Sequence, residues 1–287
     1  MSTSTDGGLT WGPALNTANN AGGIGGQPVV QPNGKVIVPT ANANETSILA
    51  FRSINGGVSW SATTLVSQIS DHTVAGGLRT GPLPSAEVDA AGRVYVVWQD
   101  CRFRTSCRAN DIVLSTSTDG ATWSTPARIP IDPVTSRLDH FIPGLAVDRN
   151  TSGASAHLAL TFYFYPRRGC NVSTCSLSVG STTSPNGGAS WTTAVQIAGP
   201  MTLSQIANTS QGRMVGDYIS TSFSGGTAFG VFAVGRPPSG GLAFDEGIYT
   251  TSPGVVAAAS LLSSSADRPV PGAASDHAPS AVPTTRR

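Results

Sequence analysis

The chain is poor in charge and nearly without lysine. Asp, Glu, Lys and Arg make up only 11% of its 287 residues, against about a quarter in an ordinary domain. A formal net charge of +1 excludes a general attraction to nucleic acid or to anionic membrane. No apolar run reaches the roughly 18 residues that a transmembrane helix needs, and the N-terminus lacks the basic start, apolar stretch and cleavage site of a signal peptide. Cysteine is scarce but patterned. The four cysteines fall as two close pairs, Cys101 with Cys107 and Cys170 with Cys175. Zinc ligation is the rival reading, but these spacings are not those of a zinc knuckle and no histidine lies near them in the chain. Two local disulfides are expected, and they imply a protein that is secreted or on the cell surface.

What the sequence has in quantity is turn formers, 33 glycines and 20 prolines among abundant Ser, Thr and Ala, so many turns and few helices are expected. Its basic residues are one lysine, Lys35, beside sixteen arginines. Arginine presents a planar fork of donors that grips carboxylates and sulfates with paired bonds, so this bias bears on ligand chemistry.

One pattern occurs four times: STSTDGGLTW at residues 2–11, SINGGVSW at 53–60, STSTDGATW at 115–123 and SPNGGASW at 184–191. Each places Ser two residues before an acidic or amide residue (Asp6, Asn55, Asp119, Asn186), then Gly, then a hydroxyl residue and Trp (Trp11, Trp60, Trp123, Trp191). The chemistry of a tight turn accounts for the set. The Asp or Asn oxygen accepts backbone N–H bonds just ahead of it, Gly supplies positive φ, and Trp buries a large ring on entering the next strand. Metal ligation is disfavoured, because Asn55 and Asn186 replace two of the carboxylates.

Each copy closes a larger unit of strand, turn, strand, loop, strand, turn motif, strand. QPVVQPNGKVIVPT and SILAFRS precede the second copy, and SAEVDAAGRVYVVWQD and NDIVLSTS precede the third. Units of four strands spaced about 50–70 residues apart predict an all-β propeller of four-stranded antiparallel blades. A two-sheet sandwich would lack this fixed punctuation. The propeller is expected over 1–264, followed by a disordered Ala/Ser/Pro-rich tail over 265–287. The first motif begins inside a unit. Either the strand near 11–17 completes the final unit and closes a four-bladed ring, or the sequence is a truncated copy of a longer, six-bladed propeller.

The four motifs resemble the Asp-box (BNR) repeats of the sialidase-like propellers, most clearly STSTDGGLTW and SPNGGASW, over about residues 1–251. Asp boxes also occur in non-enzymatic propellers, so fold does not settle activity. The resemblance implies a site at the propeller axis on the face opposite the boxes. There three arginines hold a sugar carboxylate, a Tyr supported by a Glu is the nucleophile, and an Asp is the acid/base. The longer loops, about 67–83, 99–111, 130–143, 165–175, 198–217 and 235–246, belong on that face. They hold nine of the sixteen arginines: Arg79, Arg102, Arg104, Arg108, Arg137, Arg167, Arg168, Arg213 and Arg236.

QGRMVGDYIS brings Arg213, Asp217 and Tyr218 to the start of an inner strand. Tyr218 is the candidate nucleophile with Glu246 taking its proton, and Asp71, beside His72, is the candidate acid/base; Asp139 and His140 form a second Asp-His pair. Arg213, Arg79, Arg137 and Arg236, with Asp217, are the candidate ligand-binding set. The ARIP at 127–130 only superficially matches the aromatic-Arg-Ile-Pro segment of sialidases, since it follows the third box in the wrong blade. The expected ligand is an anionic, sialic-acid-type glycan or glycoconjugate cleaved by exo-hydrolysis; the alternative is a non-catalytic glycan- or protein-binding propeller. No cofactor or catalytic metal is implied, a structural calcium is left open, and no oligomeric state is specified.

Overall fold

A computed structural model describes residues 1–256; the tail expected at 265–287 and the domain limit at 264 lie outside the described residues. Those residues are all-β, with four single-turn 3-10 segments as their helical content. Four antiparallel sheets follow one another along the chain. In blade 1, β1 (Gly23–Ile24) and β2 (Val29–Val30) together make an interrupted inner strand along β3 (Val36–Asn42), followed by β4 (Ser47–Ser53) and β5 (Thr64–Gln68). Blade 2 runs β6 (Ser85–Val88), β7 (Val94–Asp100), β8 (Asp111–Ser117), β9 (Ala127–Arg128). Blade 3 runs β10 (His140–Val147), β11 (Leu158–Phe164), β12 (Ser176–Ser184), β13 (Val195–Thr202). A short hairpin, β14 (Asn208–Thr209) with β15 (Gly212–Arg213), precedes blade 4. That blade runs β16 (Ser220–Ser224), β17 (Thr227–Arg236) and β18 (Asp245–Thr250), with β19 (Val255–Val256) also on β17.

The cores lie between blades. Successive side chains on a strand point to opposite faces, so a strand covered on both sides is apolar throughout. β7 is buried along its whole length. Val94, Val96 and Trp98 enter the core shared with blade 1, while Tyr95 and Val97 enter the core shared with blade 3. Leu158, Leu160 and Phe162 of β11 meet blade 2, and Tyr163 of the same strand turns to blade 4.

The turn motifs form as the residues dictate. Ser53 Oγ accepts Gly57 N–H (2.8 Å) while Asn55 Oδ1 accepts Ser59 N–H (3.0 Å). Ser184 and Asn186 repeat this with Gly188 (2.9 Å) and Ser190 (2.8 Å). In the shorter third copy Asp119 Oδ1 accepts the N–H groups of Ala121 and Thr122, both at 2.8 Å. Gly57 and Gly188 sit at φ 86° and 89°, where a Cβ is strained.

The burial expected of the box tryptophans holds for three copies. Trp60 is 7% exposed and packs edge-on to Phe51 at 5.4 Å, and Trp123 and Trp191 are partly buried against the inter-blade cores. Trp11 is the exception at 66% exposed, with no core cluster of the described residues including its ring. The segment 11–17, expected as a strand, forms none; it bonds to the chain start (Gly12 N to Thr3 O 2.9 Å, Leu15 N to Met1 O 2.7 Å) and borders blade 1 through Ala18 N to Ser61 O. It does not pair with β18 or β19, so it does not complete blade 4.

Candidate functional site

The boxes follow β4, β8 and β12, so these third strands end on the box face. By antiparallel alternation the inner strands β6, β10 and β16 begin on the opposite face, and the long loops gather there. Two groups of functional side chains occupy that face.

The first surrounds an open cleft of about 960 Å³ lined by His72, Arg108, Arg137, Tyr165, Arg167 and Arg168. All four arginines are exposed, and none has an ion-pair or hydrogen-bond partner among the described residues. Disulfides staple both walls. Cys101–Cys107 closes the loop ahead of Arg108 and Cys170–Cys175 the loop behind Arg168; Cys107 and Cys170 themselves line the cleft. Beneath it, His72 Nδ1 lies 3.0 Å from Asp139 Oδ1, an oxygen that also accepts the backbone N–H of Asn110 at 2.8 Å. Asp139 is buried, and that burial pushes its carboxyl above the usual range.

Asp71 is held from within. Its Oδ1 accepts Gln99 Nε2 (2.9 Å) and Asn110 Nδ2 (3.0 Å). The residue is exposed, but Oδ1 is turned into the protein, and burial around the carboxyl pushes its pKa up to about 6 against the two lowering hydrogen bonds. Asn110 organises the group: its side chain also donates to His72 O (2.8 Å) and accepts His72 N–H (2.9 Å).

The second group lies nearer the axis, where Gln27, Glu87 and Tyr218 line a cavity of about 340 Å³. Tyr218 is 44% exposed. Partial burial, then the Asp217 and Glu45 carboxylates, push its phenol above its ordinary value, the opposite of what an activated nucleophile needs. Arg79 makes a two-pronged bond to Asp217 (Nε to Oδ1 2.8 Å, Nη2 to Oδ2 3.0 Å) and a further one to Gln211. Arg213 donates to Ile206 O at 2.7 Å, and its carbonyl accepts Arg79 N–H at 2.7 Å.

The structure thus brings Arg79, Arg213, Asp217 and Tyr218 together and sets the other predicted residues apart from them. Arg137 and Asp71 belong to the cleft group. Glu246 accepts Ala207 N–H at 3.0 Å and is not among the carboxylates acting on Tyr218. Arg236 stacks over Tyr249, 4.6 Å from the ring centroid. It borders a cavity of about 1210 Å³ between β13 and β17–β18, where it is the sole charged lining side chain among the described residues. Without an acid/base partner that space offers size but no chemistry.

Sequence reasoning paired Asp71 with His72 and Asp139 with His140; the fold pairs His72 with Asp139. His140 is buried, with Nδ1 facing Asn110 O at 3.3 Å, and burial lowers its pKa. It borders an ionic cluster that sequence reasoning missed. Arg104 bridges Asp111 and Asp132 at 2.5 Å each, and Arg128, the arginine of ARIP, contacts the same two carboxylates at 2.9 and 2.7 Å. Asp111, Asp132 and His140 bring three potential ligand atoms within 4.8 Å of one another. Two guanidiniums already balance both carboxylates there, so a cation would enter against their charge.

No protein-family model matches the chain, and no curated protein matches it. Solved structures do. One is an alpha-L-arabinanase of Penicillium chrysogenum complexed with arabinobiose, with a TM-score of 0.50, 16% identity, and coverage of 79% of this chain and 67% of that one. Another is an N-acetylgalactosamine deacetylase from F. plautii, TM-score 0.45, 15% identity, 82% and 71% covered. A third is the NanB sialidase from Streptococcus pneumoniae, TM-score 0.45, 15% identity, covering 80% of this chain and only 32% of the sialidase. At such identities the likeness to the arabinanase is one of fold, and the chain is an all-β propeller of four-stranded antiparallel blades.

Proposed function

We propose that the protein binds and processes an anionic glycan on the face opposite its boxes. One observation carries this reading: four exposed guanidiniums without a carboxylate partner among the described residues surround a cleft of about 960 Å³, at the upper end of the size range of saccharide and small-molecule sites. A carboxylate or sulfate there gains charge-assisted, paired hydrogen bonds that a neutral sugar does not. The arabinanase that shares the fold was solved with arabinobiose, and the two stapled loops fit an exported protein.

The finer form is a sialidase-like exo-hydrolase with Arg213 and one or two of Arg79, Arg137 and Arg236 on the carboxylate, Tyr218 attacking with help from Glu246, and Asp71 protonating the leaving group. Exposure of Tyr218 near the axis favours it. The second reading, a non-catalytic glycan- or protein-binding propeller, is favoured by the engagement of Arg79 with Asp217 and of Glu246 with Ala207.

Calorimetry against matched carboxylated, sulfated and neutral oligosaccharides tests the general reading. The charged ligands are expected to bind at least about tenfold tighter, a difference of about 1.4 kcal/mol, and Arg167→Glu/Arg168→Glu to abolish that preference. Equal affinity for neutral sugar would sink it. Release of a fluorophore from a sialoside, compared with Tyr218→Phe, tests the finer form; equal rates remove Tyr218.

A further inference from the structure

We propose that the arginine cleft cleaves a uronate-bearing glycan by β-elimination, with His72 as the base and Asp71 as the acid. The proposal rests on the reading of the cleft as an anion site and adds its reaction class. The carboxyl groups disfavour two-carboxylate hydrolysis at this place. Hydrolysis by the two-carboxylate route needs a pair of free carboxyl groups flanking the bond. Two are near the cleft: Asp139 lines it, but its side chain is only 9% exposed and its Oδ1 is taken by His72 and Asn110, while Asp71, next to His72 in the chain, is exposed but has its Oδ1 taken by Gln99 and Asn110. What remains is one uncommitted carboxyl oxygen, Asp71 Oδ2, and one imidazole.

That imidazole is set up as a proton acceptor. Its Nδ1 faces the Asp139 carboxylate, which assigns the proton to Nδ1 and leaves the lone pair on Nε2. The His72 side chain is 32% exposed and lines the cleft. Asp71, the preceding residue, uses Oδ1 for Gln99 and Asn110, and its Oδ2 accepts no hydrogen bond among the described residues. A pKa of about 6 keeps a share of that carboxyl protonated in mildly acidic solution. Asn110 grips Asp71, His72 and Asp139 at once, so acid and base are held in fixed relation. It is the positioning residue.

The arginines supply what elimination needs and hydrolysis does not. A carboxylate held by guanidiniums is largely neutralised, which stabilises the negative charge that grows when the adjacent C–H bond gives up its proton. In the step, that proton goes to His72 Nε2 and its bonding pair forms the C=C bond. The bond from the β-carbon to the glycosidic oxygen breaks, and the oxygen takes the Asp71 proton. Proton return from imidazolium to the Asp71 carboxylate, through solvent, restores both groups. No water molecule, oxidant or reductant is consumed.

The test incubates the purified protein with polygalacturonate, alginate and a glucuronate-containing polysaccharide. It follows new reducing ends together with the ultraviolet absorbance of the conjugated unsaturated uronate. Both signals are expected to rise in step on at least one polymer. His72→Gln is expected to slow cleavage by about 100-fold or more and to leave affinity for the uncleaved chain within about twofold. Asp71→Asn is expected to lose rate likewise, which keeps the test decisive should the first variant fold poorly. Reducing ends without the absorbance, binding without any cleavage, or equal rates in the His72 variant each overturn the elimination while leaving the anionic-glycan reading intact. Failure of every charged glycan to bind overturns both.

Discussion

Asp119 and Asp71 are the same side chain on opposite faces of one propeller, and their surroundings push them in opposite directions. Asp119 sits in a box turn, accepts the N–H groups of Thr122 and Ala121, and is held down at about 2. Asp71, crowded on the loop face, is pushed up to about 6 by burial of its carboxyl group. The sequence distance of the partners differs as sharply. Those of Asp119 lie two or three residues away; those of Asp71 lie 28 and 39 residues away, and His72 finds Asp139 across 67. A group satisfied by its own turn is a staple. A group held by distant loops, beside cations that have no partner among the described residues, is available for chemistry.

The contrast can be broken or sharpened by experiment. The largest effect is expected inside a box. Trp60→Ala should cost about 3–5 kcal/mol, as for other buried aromatics, whereas Trp11→Ala, at a ring 66% exposed, should stay within about 0.5 kcal/mol. Urea titration of both variants measures this, and similar losses would undo the claim that only three boxes anchor a core. Next comes the loop face. Removing Cys101–Cys107 or Cys170–Cys175, bridges of sequence separation 6 and 5, should cost about 2 kcal/mol each and weaken anion binding, read by thermal melts and calorimetry. Unchanged binding would detach the staples from the cleft.

A smaller effect is expected from Asp71→Asn. The folded-state pKa lies above the unfolded one, so ionised Asp71 penalises the fold: the penalty is absent below about pH 4, grows towards pH 6 and persists above it. The variant should therefore be more stable at pH 7 by about 1 kcal/mol, discounted for solvent screening, with the gain vanishing near pH 4. A gain that persists there would mean the carboxyl is not held as described. The smallest effect is expected from Asp119→Asn. Asn55 and Asn186 make the equivalent bonds with amide oxygens, so little should change at pH 7. The depressed carboxyl of the native residue stabilises above its unfolded pKa near 3.8 and loses that contribution as pH falls through about 2. The variant's stability, read by urea titration, should accordingly fall less steeply as pH drops through that window.

Most of the fold was readable from the letters because its determinants are local. Ser53, Asn55 and Gly57 interact within four residues of one another, and the apolar runs of β7 and β11 announce strands covered on both sides. The box bonds to Asp6 show the limit: Ser4, Asp6 and Thr10 form the turn, yet nothing in the motif tells that Trp11 meets solvent. The arginine-rich face was legible as composition. Its internal wiring was not, because neighbours such as Asp71 and His72 project from one loop to different partners.

The order of strands in each blade and the four stapling turns are thus written in residues that interact with their near neighbours, where chain connectivity alone makes encounter cheap. Which guanidiniums stay unpaired among the described residues, which aspartate loses its freedom to a histidine, and which keeps its proton were decided by packing loops from separate blades against one another. Those loops are remote in the chain, and the dielectric and hydrogen bonds that set proton affinity exist only once they meet.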